Sequence, residues 1–238
     1  GQTSIKLSNK LPDGWSEETM QPLIQAAVAP WLEIACFNFD FENEGFAGPG
    51  VGDGKDRVNW MVWTQKDWPF SSSQLAVTLV EFVQKTGEIV DADIYVNIAQ
   101  KSFDLDAECD PNAVALDLQG VLTHEFGHFF GLDHTQVPLA TMVASTEPGD
   151  CTKRTLHQDD IDGFCAAYTN LPEEPDTSDP PSDTDALDAS GAETQTVESE
   201  PGHNGGCTLG AQSAASTMWW VGLLAILALR RRTRFFTV

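Results

Sequence analysis

The run His124-Glu125-Phe126-Gly127-His128-Phe129-Phe130-Gly131-Leu132-Asp133-His134 constrains the fold more than any other feature of the chain. It closes the segment 114–134, in which Val121, Leu122, Phe126, Phe129 and Phe130 recur at helical spacing and mark a face to be buried. His124 and His128 are four residues apart, so a helix stacks their imidazoles on one face, one turn apart. Gly131 permits a left-handed exit from that helix, and His134 follows three residues later. Three imidazoles without a fourth protein donor suit an ion that keeps one position open, above all Zn2+. Glu125, beside them, is a carboxylate able to take a proton from water held there. Five such fixed positions recur by chance roughly once in tens of millions of positions. Closed structural zinc sites instead use four protein ligands and favour Cys.

Around this helix the pattern is mixed. Met20 to Cys36, with Leu23, Ile24, Ala27, Val28, Trp31, Leu32 and Ile34, predicts an amphipathic helix in which Pro22 and Pro30 sit near the ends or kink it. Residues 58–64 and 89–98 read as strands, and 74–84 as either strand or helix. An α+β domain over residues 1–170 follows. The length and 41% hydrophobic content supply one sizeable core.

Charge divides the chain. The formal net charge of -23 combines a body with 36 acids against 9 bases and a 32-residue end, 207–238, holding four Arg and no acid. A body this acidic excludes an ordinary nucleic-acid binder, which needs surplus cations to neutralise phosphates. Residues 171–206 contain five Pro, ten acids and no Lys or Arg, which predicts a disordered, self-repelling linker. Residues 214–229 are then almost wholly apolar, ahead of Arg230, Arg231, Arg232 and Arg234. Those residues would reach ~24 Å as a helix, near a ~30 Å hydrocarbon layer, so a short C-terminal transmembrane helix with a cytoplasmic Arg end is expected.

Five cysteines leave one over after pairing. Cys36, Cys109, Cys151 and Cys165 precede the linker, and two disulfides are expected in an exported domain. Of the three pairings, Cys151 with Cys165 and Cys36 with Cys109 is favoured, because the first closes a short loop around a helical segment. Asp104, Asp106, Glu108 and Asp110 are hard oxygen donors that could hold Ca2+. Acids in a loop are more often merely solvated.

The His124–His134 run resembles the metzincin zinc peptidases, specifically the matrixin branch, peptidase M10. That resemblance implies a twisted mixed sheet with an active-site helix and a C-terminal helix. It implies His124, His128 and His134 as ligands of one catalytic Zn2+, Glu125 as general base, and a protein or peptide substrate. Thr141-Met142-Val143 is similar to the Met-turn, with Met142 underlying the metal. Residues 156–163 resemble the start of the C-terminal helix, and 87–94 the strand ahead of the active-site helix. The loop 97–116 is short and lacks His, so a second zinc is not expected. Gly205-Gly206-Cys207, the apolar stretch and the Arg cluster resemble the MYXO-CTERM sorting tails of myxobacterial surface proteins. This implies Cys207 as a sorting or anchoring residue, and an exported monomer held at the surface through its tail or released. The alternative is a non-catalytic or latent zinc-binding adhesion protein on the same scaffold. Retention of Glu125 weighs against it, because zinc binding alone does not need that carboxylate.

Overall fold

The computed structural model describes residues 2–50, 52, 55–106, 108–168 and 231–237. Strand β1 (Gln2–Ser8) buries Ile5 and Leu7 and leads into helix α1 (Glu17–Leu32). Ser16 caps α1 by accepting from Thr19 N at 3.2 Å. Met20, Leu23, Ile24, Ala27, Val28 and Trp31 are its buried residues, a stripe at three- and four-residue intervals. Both prolines lie inside it. Strands β2 (Asp40–Gly48), β3 (Trp60–Thr64), β4 (Ala76–Val83) and β5 (Ile89–Asn97) follow. The ambiguous segment 74–84 is therefore strand. Its near-continuous burial reflects cover on both faces. The short pair β6 (Phe103–Asp104) and β7 (Leu116–Asp117) precedes helix α2 (Leu118–Phe129), and helix α3 (Gln158–Tyr168) lies beyond a 3₁₀ turn, Thr152–Arg154.

The main sheet runs β2-β1-β3-β5-β4-β8, where β8 is Arg231–Thr237. The pairs β1/β2, β1/β3 and β3/β5 are parallel, while β4 is antiparallel to both β5 and β8. One large core lies between sheet and helices, with Trp31, Phe126, Phe164, Ile24, Leu118 and Met142 fully enclosed. Trp31 also donates its indole N–H to Thr123 O at 2.8 Å, which fixes α1 against α2. All described residues fall in one compact unit.

The disulfides correct the pairing favoured above. Cys36 bonds Cys165 and Cys109 bonds Cys151, with Cα–Cα distances of 5.5 and 6.0 Å. Packing decides both. Phe164 and Tyr168 of α3 lie against Trp31, Phe37 and Phe39, which carries Cys165 to the end of α1. Arg154 reaches Asp117 at 2.8 Å and Asp106 O at 2.9 Å, drawing the 104–117 loop onto the segment that holds Cys151. The linker 171–206, the apolar stretch 214–229 and Cys207 lie outside the described residues. Among the described residues no helix is long and apolar enough to cross a membrane.

Candidate metal centre and active site

Helix α2 starts where Asp117 accepts from Gly120 N at 3.0 Å. It ends in a Schellman turn: Leu132 N donates to Gly127 O at 2.9 Å and Gly131 N to His128 O at 2.8 Å, with Gly131 at φ 90°. The turn returns the chain so that His134 faces His124 and His128. It also aims the Leu132 carbonyl at His128 Nδ1, 2.7 Å away. His124 Nδ1 lies 2.6 Å from Thr141 O. A carbonyl only accepts, so both Nδ1 atoms carry hydrogen and both Nε2 atoms present lone pairs.

Those Nε2 atoms converge. His134 Nε2 is 3.3 Å from that of His124 and 3.2 Å from that of His128. Lone pairs gathered this closely repel one another unless a cation lies between them. An ion bound tetrahedrally at ~2.0–2.1 Å separates its ligands by about 3.3 Å, so the spacing and donor chemistry fit one zinc. Burial above all, then the neighbouring His128, Lys153 and His134, hold His124 well below the ordinary imidazole range. Burial likewise lowers His128 to about 3, against the pull of the Leu132 carbonyl. Both rings are thus kept neutral and available as donors.

Glu125 is fully buried. Its Oε2 accepts from the Thr78 hydroxyl of β4, while Oε1 has no hydrogen-bond partner. Burial pushes the carboxyl up to about 8, against the Thr78 hydrogen bond and the charge of Lys153. Lys153, only 2% exposed, donates to Thr141 O at 2.8 Å and to Val143 O. Burial lowers its ammonium to about 8, opposed by Asp150, Asp160 and Glu125.

Met142 underlies the helix. A Cβ at Gly127 would lie 2.3 Å from Met142 Sδ and 2.8 Å from Trp31 Cζ2, so only glycine allows this approach. Asp160 fastens the turn around Met142 by accepting from Thr141 N at 2.8 Å, Met142 N at 3.0 Å and His157 N at 2.8 Å. A cavity of about 250 Å³ opens beside it, walled by residues 131–133, Thr135 and Met142 on one side and Asp159, Gly163 and Ala167 of α3 on the other.

The structure therefore brings together His124, Glu125, His128, His134 and Met142. Among the described residues the three histidines are the one group of His, Cys, Asp or Glu donors that converge within 4.8 Å. Asp104, Asp106, Glu108 and Asp110 do not gather so. Asp104 and Asp110 instead accept from the backbone two residues on, at 3.0 and 2.9 Å. Thr78, Lys153 and the latch made by Asp160 were not apparent from sequence, since each acts across a long chain separation.

Residues 53–169 match the family model of matrixin, peptidase M10. Over those residues the chain is similar to matrixin. It is similar to Matrix metalloproteinase-27 of Homo sapiens, 38% identical over 73 residues, which cover 31% of this chain and 14% of that protein. It is also similar to Metalloendoproteinase 2-MMP of Arabidopsis thaliana, 37% identical over 168 residues, which cover 70% of this chain and 42% of that protein. The chain thus spans less than half the length of these curated relatives. The site lies where α2 packs against β4, with the Thr78 hydroxyl on Glu125 and the histidine triad beside it.

Proposed function

We propose that the chain is a zinc-dependent endopeptidase that works outside the reducing cytosol. One observation carries the reading. A fully buried carboxylate, Glu125, keeps one oxygen unpartnered in the residue next to a converging histidine triad. His124, His128 and His134 would hold the ion, which when bound polarises a peptide carbonyl and lowers the pKa of water. Glu125 Oε1 accepts the proton of the attacking water and returns it to the leaving amine. Thr78 fixes the other oxygen, so the carboxylate cannot rotate away from this task. Substrate lies extended along β4 as an added strand. Two disulfides and an acid-rich body support work at the cell surface or after release.

The test is zinc stoichiometry of the full chain together with casein cleavage before and after chelation, beside Glu125→Gln. One zinc per chain, with activity lost on chelation, regained with zinc and absent in the variant, is the expected result. Unchanged cleavage by the variant would remove Glu125 from the chemistry. Stoichiometric zinc without cleavage by either protein would favour the binding-only scaffold.

A further inference from the structure

The edge of β4 nearest the triad is not bare. Arg231–Thr237 lies along it as an antiparallel strand, pairing Val77 with Thr237 through to Val83 with Arg231. Thr78, whose hydroxyl holds Glu125, is the residue opposite Phe236. Phe236 is only 5% exposed and stacks on the His128 ring, with centroids 4.7 Å apart and planes at 15°. Its neighbour Phe235, on the opposite face of the strand, is 64% exposed. Arg234 lies over the Phe82 ring, 5.3 Å from its centroid, and 4.0 Å from Asp133 in the loop that bears His134.

We propose that Arg231–Thr237 is an internal competitor of substrate: it fills the strand-accepting edge of β4 and seats Phe236 against His128, so a peptide can be cleaved only when it leaves. The inference rests on the endopeptidase reading and adds the identity of the cleft's resident occupant. A sheet edge offers one row of backbone donors and acceptors, and one strand consumes it. The segment and a substrate are therefore mutually exclusive. Charge favours this occupant, since four Arg lie within residues 230–234 while the chain before the linker holds 26 acids against 9 bases. Tethering favours it too, because a segment of the same chain binds without the cost of a bimolecular encounter. The same geometry names the substrates that displace it: extended peptides with an aromatic residue against His128 and a cation two residues before it.

The test compares the full chain with its Phe236→Ala variant, using casein cleavage and amide exchange of residues 76–83. A synthetic peptide of residues 230–238 is added in trans. The expected result is a fall in apparent KM of about 10-fold in the variant with kcat retained. The β4 amides should exchange faster, and the peptide should restore protection and inhibit the variant competitively. Equal KM with equal exchange in the two proteins overturns the proposal. So does inhibition that strengthens with protein concentration, which would place the segment on a second copy. If neither protein cleaves any substrate, the peptidase reading fails while amide exchange and peptide binding still decide the occupancy. Phe236→Leu, which keeps an apolar side chain at that position, guards against misfolding of the smaller variant and should behave between the two.

Discussion

Two acids beneath the triad are equally hidden from water yet held in opposite ways. Asp160 is 1% exposed and accepts three backbone N–H groups, from Thr141, Met142 and His157. Glu125 is 0% exposed and has the Thr78 hydroxyl on one oxygen and no hydrogen-bond partner on the other. Burial alone therefore does not make a carboxylate reactive. Asp160 has its bonding capacity spent on the backbone and serves as a latch, whereas Glu125 retains an unused acceptor where a proton must move.

The contrast is broken most severely at Glu125. Glu125→Gln keeps the shape and the Thr78 contact but cannot take a proton, and casein turnover should fall about 10²–10⁴-fold with zinc content unchanged. Stability should move the other way. In the metal-free protein the Glu125 carboxyl is raised from 4.5 to about 8, so between those values the folded state binds more protons than the unfolded one. Its contribution to stability is then lost as pH rises through that window. Glu125→Gln should flatten the fall, and a chelated variant that melts below the parent at pH 8 would contradict the free-oxygen assignment.

Asp160→Ala attacks the latch instead. Two buried N–H groups, of Thr141 and Met142, and that of His157 lose a charged acceptor, and the loss should be about 3–5 kcal/mol by urea titration. Zinc affinity should weaken as well, because Thr141 also supplies the carbonyl that orients His124. Asp160→Asn should recover part of both. If Asp160→Ala melts like the parent, the three bonds are not what holds the Met142 turn.

This pair also marks what sequence could reveal. His124, Glu125, His128, Gly131 and His134 fall within eleven residues, so helical period and local spacing placed them together, while Met142 entered through the matrixin resemblance. Asp160 was visible only as an acid in the first turn of a helix, a position that the helix dipole explains without any partner elsewhere. Its contacts with Thr141 and Met142 depend on how α3 docks. The same holds for Thr78 and Lys153, and for the disulfides, where nearness in sequence suggested Cys151 with Cys165 and packing chose otherwise. Strand β2 went unassigned because it reads DFENEGFAG, rich in residues poor at forming strands, and its two aromatics, Phe41 and Phe46, stand five apart, out of step with a two-residue period. Phe235 and Phe236, beyond the Arg cluster expected to end a membrane segment, were left unassigned, since nothing local announces a strand partner over 150 residues away.

Thr78→Val sharpens the comparison by removing the single tether of Glu125. Both oxygens then lack a partner, and kcat should fall about 10-fold with KM little changed. The acid limb of the pH–rate profile should shift upward, because the Thr78 hydrogen bond is what lowers the carboxyl against burial. Thr78→Ser should restore both readings. A Val variant with parental kcat and pH profile would show that the helix alone positions Glu125.

Asp91 extends the series to a carboxylate without either hydrogen-bonding role. It is 0% exposed on β5, the Arg57 backbone N–H is the group that opposes its burial, and Glu81 is its cross-strand neighbour. Burial first, then Asp93 and Asp56, raise it from 3.8 to about 7. No proton-transfer role follows, because the histidine triad does not include it and like charges set opposite each other simply destabilise the sheet. The folded state holds extra proton between pH 3.8 and about 7, so stability declines as pH rises across that interval and the full penalty stands above it. Asp91→Asn should remove the decline and raise stability at pH 8 by about 1 kcal/mol, with casein cleavage unaltered. A destabilised Asn variant would mean that the carboxylate is compensated by a group that binds it in solution, and Asp91 would then join Asp160 among the acids that hold the fold.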